Sequence, residues 1–257
     1  MKSTALITGA SGGIGLELAQ QFAGDGHDLV LVARSEGKLR ELGGQLEKAH
    51  GIAATVITSD LSRPNAARDI VEALQAASIE IDVLVNNAGF AMNGAFLDNN
   101  PQTQHDMIQV NVVALTQLTR LLLPPMVARR SGRILNVAST AAFAPGPLAA
   151  VYGATKAYVL SFSEAIAEEL RQSGVTVTAL CPGPTRTGFS ARAGADSTRL
   201  YRRQMSSAEV ARVGYQGLNS GRRVVVTGLR NKLLVQAARI SPRRVVATIG
   251  RRLWEST

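Results

Sequence analysis

The chain has 257 residues, 46% of them hydrophobic and 18% charged, with a formal net charge of +9. That composition is long and apolar enough for one large α/β domain with its own core, and it excludes an intrinsically disordered chain. One cysteine and three scattered histidines (His27, His50, His105) exclude a disulfide framework and a metal-ligand cluster, so no metal is expected and a reducing, cytoplasmic setting is.

Apolar runs that read as strands alternate with helical patterns along the chain. Strands are expected at Ala5–Thr8, Asp28–Ala33, Ala53–Thr58, Val83–Asn86, Arg133–Ala138, Val175–Cys181 and Arg223–Val226. Helices are expected at Gly13–Gly24, Gly37–His50, Asn65–Ala77, Pro101–Val127 and Ala150–Gln172, with Pro124-Pro125 kinking or ending the fourth. The βαβα order predicts a parallel sheet covered on both faces, doubly wound by right-handed crossovers, with a ligand crevice at the carboxyl ends of the strands. No apolar run is expected to reach the roughly 18 residues that span a bilayer, and the first strand starts too close to Met1 for a signal peptide.

The first strand runs into Thr8-Gly9-Ala10-Ser11-Gly12-Gly13-Ile14-Gly15, and the helical stripe Ile14, Leu16, Leu18, Ala19, Phe22 follows. Strand, glycine turn and helix form the context of a nucleotide cradle. Bare glycines let the backbone approach a pyrophosphate, and the helix N-terminus offers unpaired N–H groups and positive potential. The spacing is Gly-x-x-x-Gly-x-Gly, not the commoner Gly-x-Gly-x-x-Gly, and a purely structural turn competes with it.

Tyr152 and Lys156 lie four apart in Tyr152-Gly153-Ala154-Thr155-Lys156, on one face of an expected helix, with Ser139 upstream at the end of a strand. A phenol titrates near 10. An ammonium about 4 Å away at an effective dielectric of about 20 is worth about 4 kcal/mol, enough to bring the phenol toward neutrality. Such a pair suits proton transfer to a carbonyl or from an alcohol, with the serine hydroxyl bonding the substrate oxygen. Taken alone, Tyr-x-x-x-Lys is a pattern that any helix face can produce.

With Asn86-Asn87-Ala88-Gly89 closing the fourth strand, Asn111 in the next helix, and Pro182-Gly183 and Thr187 after the sixth strand, the chain resembles the short-chain dehydrogenase/reductase family over roughly residues 3–190. The resemblance implies an NAD(P)-dependent oxidoreductase on a Rossmann-like fold. Tyr152 would be the catalytic acid/base, Lys156 would lower its pKa and bond the nicotinamide ribose, and Ser139 would orient the substrate oxygen. Asn111 would hold a water in the proton relay. By the same resemblance Gly9, Ser11, Gly13, Ile14 and Gly15 would cradle the pyrophosphate, and Asp60 with Leu61 would meet the adenine. Asn87 and Ala88 would line the cofactor ribose, Thr187 would hold the nicotinamide carboxamide, and Pro182 would also meet the cofactor. For Asn86, Asn87 and Asn111 a strand-capping or helix-bending role competes. Relatives usually pair subunits through helices 101–127 and 150–173, so a homo-oligomer is implied.

The second strand ends Val32-Ala33-Arg34-Ser35, with Ala33 where an NAD-binding carboxylate would fall. Arg34 can meet a 2′-phosphate, so NADP is favoured over NAD, although Gly12 stands where many NADP-using relatives carry a second cation. Phe90, Met92, Phe143, Pro145, Leu148 and Phe189 suggest an apolar carbonyl or alcohol substrate, under a lid at about 185–204.

The basic excess is confined to the C-terminal part. Residues 199–257 hold thirteen Lys/Arg against two Glu, and residues 1–198 hold fifteen against seventeen acids. Two helical stripes, Leu229, Leu233, Ala237, Ile240 and then Val245, Val246, Ile249, Leu253, flank Pro242, and Trp254 closes the run. This basic extension, about 228–257, can pack on the subunit beside the substrate pocket, form an oligomer contact, or lie on an anionic membrane; nucleic acid is disfavoured. The readings that compete with a soluble reductase are a nonenzymatic nucleotide-binding sensor on the same fold and a membrane-surface reductase of lipid intermediates.

Overall fold

The computed structural model describes residues 2–255, so residues 1, 256 and 257 at the ends of the expected domain and extension lie outside it. In chain order the elements are β1 (Thr4–Thr8), α1 (Gly13–Gly24), β2 (Asp28–Ala33), α2 (Glu36–His50), β3 (Ala54–Thr58), α3 (Ala66–Ala76), β4 (Val83–Asn86), α4 (Pro101–Ile108) and, after a π-helical turn at Gln109–Ala114, α5 (Leu115–Ala128). Then come β5 (Gly132–Val137), a 3-10 turn (Thr140–Phe143), α6 (Ala150–Glu169), β6 (Val175–Cys181), β7 (Thr185–Arg186), α7 (Phe189–Ala193), β8 (Met205–Ser206), α8 (Ser207–Asn219), β9 (Val224–Val226), α9 (Leu229–Ile240) and α10 (Arg243–Trp254).

Seven strands form one sheet in the order β3-β2-β1-β4-β5-β6-β9, every pairing parallel. Strand residues alternate between two cores, which is why the runs read as continuously apolar. Ala5, Ile7, Leu29 and Leu31 pack against Phe22, Leu39 and Tyr215 on one face. Leu6, Val30 and Val32 pack against Ile70, Leu118 and Met126 on the other. The order in which strands are added reverses between β1 and β4, so the connections after these two strands leave to opposite faces and open a crevice at their carboxyl ends.

The long fourth helix departs from expectation twice. Pro124 and Pro125 lie inside α5 on its exposed face, and the helix runs on to Ala128. The irregularity falls instead at Gln109–Ala114, where the π-helical turn carries the buried Asn111. The composite helix Pro101–Ala128 is also apolar enough by length and composition to cross a membrane, with a window of mean hydropathy 1.3, contrary to the expectation that no such run exists. Here it lies against the sheet, burying Met107, Leu115, Leu118, Leu122 and Met126.

Candidate active site

The glycine loop is held by side-chain bonds from the neighbouring strand. Thr8 Oγ1 accepts from the backbone N–H of Asn87 and of Ala88, each at 3.0 Å, and donates to the Val85 carbonyl. Asn87 Nδ2 donates to the carbonyls of Thr8 at 2.9 Å and Gly9 at 3.3 Å. Gly9 and Gly13 take left-handed φ values of 68° and 57°. A Cβ on Gly9 would meet Asn87 Nδ2 at 2.8 Å, one on Gly13 would meet Thr187 Cγ2 at 2.9 Å, and one on Gly15 would collide with the Gly9 carbonyl oxygen. The loop is therefore a cradle that side chains would fill, beside the N-terminus of α1, and its residues fit a dinucleotide pyrophosphate.

A crevice of about 1430 Å³ runs from this loop across the ends of the strands. Its walls include Gly9, Ser11, Gly13 and Ile14 at the cradle, and Arg34, Asp60 and Leu61 at one end. Asn87, Ala88, Ser139, Tyr152, Lys156, Pro182 and Thr187 complete it. Two expected site residues, Gly15 and Asn111, do not line it. Gly15 sits beneath the loop. Asn111 is buried behind Gly89, its Oδ1 accepting from the Phe90 N–H at 3.1 Å and its Nδ2 donating to the Phe90 carbonyl and to Thr155 Oγ1, both at 3.0 Å.

Around Tyr152 the electrostatics differ from the simple pair expected from spacing. Burial pushes the phenol up to about 12, with a hydrogen bond from Ser139 acting the other way. Lys156 is buried as well, which brings its ammonium down to about 8, opposed by the nearby Cys181. Its Nζ donates to the Val137 carbonyl at 2.8 Å and lies 5.9 Å from the centre of the Tyr152 ring. Desolvation outweighs the expected lowering of the phenol, because the same interior that holds the two groups together disfavours charge on both. Ser139, two residues beyond β5, caps the 3-10 turn in extended conformation, its Oγ accepting from the Ala141 N–H at 3.1 Å.

At the other end, Asp60 Oδ1 accepts from the Ser62 N–H at 3.0 Å and from its hydroxyl at 2.9 Å. Burial raises that carboxyl, but these bonds and the Arg34 and Arg63 charges leave it below its ordinary value. Arg34 is exposed on the wall and is joined there by Lys38 from the first turn of α2. Arg34 precedes the helix, so the spacing of the two residues does not announce that they share a wall.

The substrate end is more aromatic than expected. Phe90, Phe143, Pro145 and Phe189 line the crevice, whereas Met92 and Leu148 pack behind it. The Tyr152 ring lies 5.6 Å from that of Phe189 and 6.3 Å from that of Trp254. Trp254 also meets Tyr201 edge-on at 6.3 Å. Nothing in the spacing of residues 152, 201 and 254 announces that contact. α9 borders the same crevice, with Arg239 stacked 5.4 Å above Phe143.

The sequence model of the short chain dehydrogenases matches residues 3–198. The chain belongs to this family. It is 37% identical over 175 residues to a very-long-chain 3-oxoacyl-CoA reductase of Laccaria bicolor, covering 67% of this chain but only 52% of that protein. Among solved structures, a short-chain dehydrogenase of Sphingobium yanoikuyae in complex with NADPH superposes with a TM-score of 0.83 at 36% identity, over 91% of this chain and 93% of that one. A short-chain dehydrogenase/reductase of Burkholderia phymatum in complex with NAD gives 0.82 at 25% identity, over 91% and 92%. The family's NAD(P)-binding Rossmann-like fold is therefore that of this chain, and the family is one of oxidoreductases.

Proposed function

We propose that this short-chain dehydrogenase is an NADP-dependent reductase of apolar carbonyl compounds, with Tyr152 as its general acid. The observation that carries the reading is the convergence of Ser139, Tyr152 and Lys156 on one wall of the crevice that also contains the glycine cradle. A phenol held near 12 is fully protonated at neutral pH, which suits an acid in the reductive direction better than a base in the reverse one. Ser139 would bond the substrate oxygen and Tyr152 would deliver the proton to it. Lys156 would hold positive charge beside the phenolate that forms. Asn111, with both side-chain atoms bonded to Phe90 and Thr155, would act as a positioning residue that fixes the floor under Lys156.

Gly9, Ser11, Gly13, Ile14 and the first N–H groups of α1 would hold the pyrophosphate. Arg34 with Lys38 would take a 2′-phosphate, and Asp60 and Leu61 would flank the adenine. Asn87, Ala88 and Lys156 would meet the nicotinamide ribose, and Pro182 and Thr187 the carboxamide. Bound there, the nicotinamide cofactor supplies the hydride. The aromatic wall supports an apolar substrate, and similarity to a reductase of long-chain acyl thioesters points the same way. Ile108, Leu121, Val127 and Tyr158, exposed on the helices of residues 101–128 and on α6, support pairing of two subunits through these helices.

The test is oxidation of NADPH and NADH against ketones, aldehydes, quinones and 3-oxoacyl thioesters. Tyr152→Phe should lower the rate by about 10²–10⁴-fold while leaving NADPH binding intact. An active Tyr152→Phe protein would end the mechanism, and the absence of any reducible carbonyl would favour the nucleotide-sensor reading.

A further inference from the structure

The C-terminal helices turn their apolar stripes away from the protein. Among the described residues, thirteen large hydrophobic side chains are exposed, and seven of them lie between Leu229 and Leu253. On α9, Leu229, Leu233 and Ile240 face outward, Ile240 at 88% exposure, and Val235 alone is buried. On α10, Val245, Ile249 and Leu253 stand one turn apart on an exposed strip, while Trp254 anchors the helix against Tyr152 and Tyr201. Arg230, Lys232, Arg239, Arg243, Arg244, Arg251 and Arg252 lie on the same two helices, with Arg239 over the Phe143 ring. Their one acid, Glu255, is taken up by Arg251 at 3.2 Å. Both helices border the mouth of the catalytic crevice, to which Leu229, Leu234, Ile249 and Leu253 contribute.

We infer that the α9–α10 face docks on an anionic lipid bilayer, with the crevice mouth turned toward the lipid. Aliphatic side chains at helical spacing with cations on the same helices match the acyl–headgroup boundary, which offers apolar and negatively charged layers at the depths these residues reach. Two alternatives are weaker on charge and on chemistry. A second copy presenting the same face would bring seven cations against seven, and the rest of the chain, close to neutral, offers little to compensate. A nucleic acid would satisfy the cations, but single strands are held by stacking on exposed aromatics, and the face's one aromatic, Trp254, is buried. The inference rests on the proposed reductase only for its account of why the crevice faces the lipid. An apolar carbonyl substrate dissolved in the bilayer would then reach Tyr152 without crossing water.

The experiment is flotation of the full chain with phosphatidylcholine vesicles and with mixed phosphatidylcholine–phosphatidylglycerol vesicles, at low and high salt, without substrate. Wild type should float with the anionic vesicles at low salt and stay behind with the zwitterionic ones. Ile240→Glu/Val245→Glu and, separately, Arg243→Glu/Arg244→Glu should lower the partition at least about tenfold. None of these four residues lines the crevice, so an unchanged melting temperature and unchanged turnover of a water-soluble ketone would show that both variants are folded. Failure of wild type to float, equal binding to zwitterionic vesicles, or unimpaired flotation of both variants would overturn the inference. A change of oligomer size in the variants would reassign the face to a second copy, and tighter binding of DNA than of vesicles would reassign it to nucleic acid. Flotation needs no turnover, so an inactive reductase and a non-binding face give separable results.

Discussion

The buried ammonium of Lys156 makes stability depend on pH in a way that can be worked out group by group. Its pKa falls from the ordinary 10.5 to about 8 on folding. At neutral pH the folded state therefore carries a charge it disfavours, at a cost of about 3 kcal/mol. Between pH 8 and 10.5 the unfolded chain binds a proton that the folded one has released, so stability rises with pH at about 1.4 kcal/mol per unit. Cys181 runs the other way. Burial raises its thiol from 9.0 to about 12, so from pH 9 upward the folded state keeps a proton that the unfolded chain loses, and stability falls at the same slope. Tyr152, raised from 10.0 to about 12, adds a second falling contribution above pH 10, reinforced by Tyr201 and Tyr215, which are raised too. The sum is a rise from pH 8 to 9, a level stretch to about 10, and a decline beyond. Urea denaturation followed by circular dichroism at half-unit pH intervals measures this profile, and Lys156→Met should abolish the rise. A flat or falling profile between pH 8 and 9 in the wild type, or a rise that survives in Lys156→Met, would refute the reasoning.

Arg34→Ala and Lys38→Ala should each weaken NADPH binding by about tenfold, a partly solvated charge-assisted bond being worth the lower end of about 1.5–3 kcal/mol, while NADH binding stays the same. Fluorescence titration of the two cofactors reads the difference, and equal losses for both would remove the 2′-phosphate assignment. Trp254→Ala should release α10, since burying an indole contributes up to about 5 kcal/mol to docking that helix. Trypsin cleavage at Arg251 and Arg252 should then accelerate while the main melting transition barely moves; an unchanged digestion rate would show that α10 is held by other contacts. Gly15→Ala should cost about 1–3 kcal/mol and much of the NADPH affinity, because its Cβ would collide with the Gly9 carbonyl. Gly12→Ala, with nothing within 4 Å and an extended backbone, should be neutral in both thermal melting and cofactor titration.

Much of the sheet was readable because parallel strands buried on both faces are continuous apolar runs. The expected strand ends fall within one residue of those observed. The prolines misled because their ring and missing N–H matter at a helix face that needs the bond, and both residues lie on the solvent side near the end of α5. Asn111 was correctly noticed as a polar residue inside a helix, but its partners, Phe90 and Thr155, are 21 and 44 positions away in the chain. The outward turn of the stripe at Leu229, Leu233 and Ile240 was equally invisible, since periodicity says that residues share a face and not which way it points.

By itself the sequence determined the local chemistry. A glycine turn between a strand and a helix, a tyrosine and lysine one helical turn apart, and an arginine after the second strand are properties of short segments, set by backbone sterics and side-chain type. Only the tertiary structure decided the environment of those groups. It buried Tyr152 and Lys156 deeply enough for desolvation to raise the one and lower the other, set Lys38 and Arg34 on one wall, and carried Trp254 across 102 positions of chain to the ring of Tyr152. The physical reason is that titration, packing and access depend on what surrounds a side chain in space, and for this protein most of those neighbours are distant in sequence.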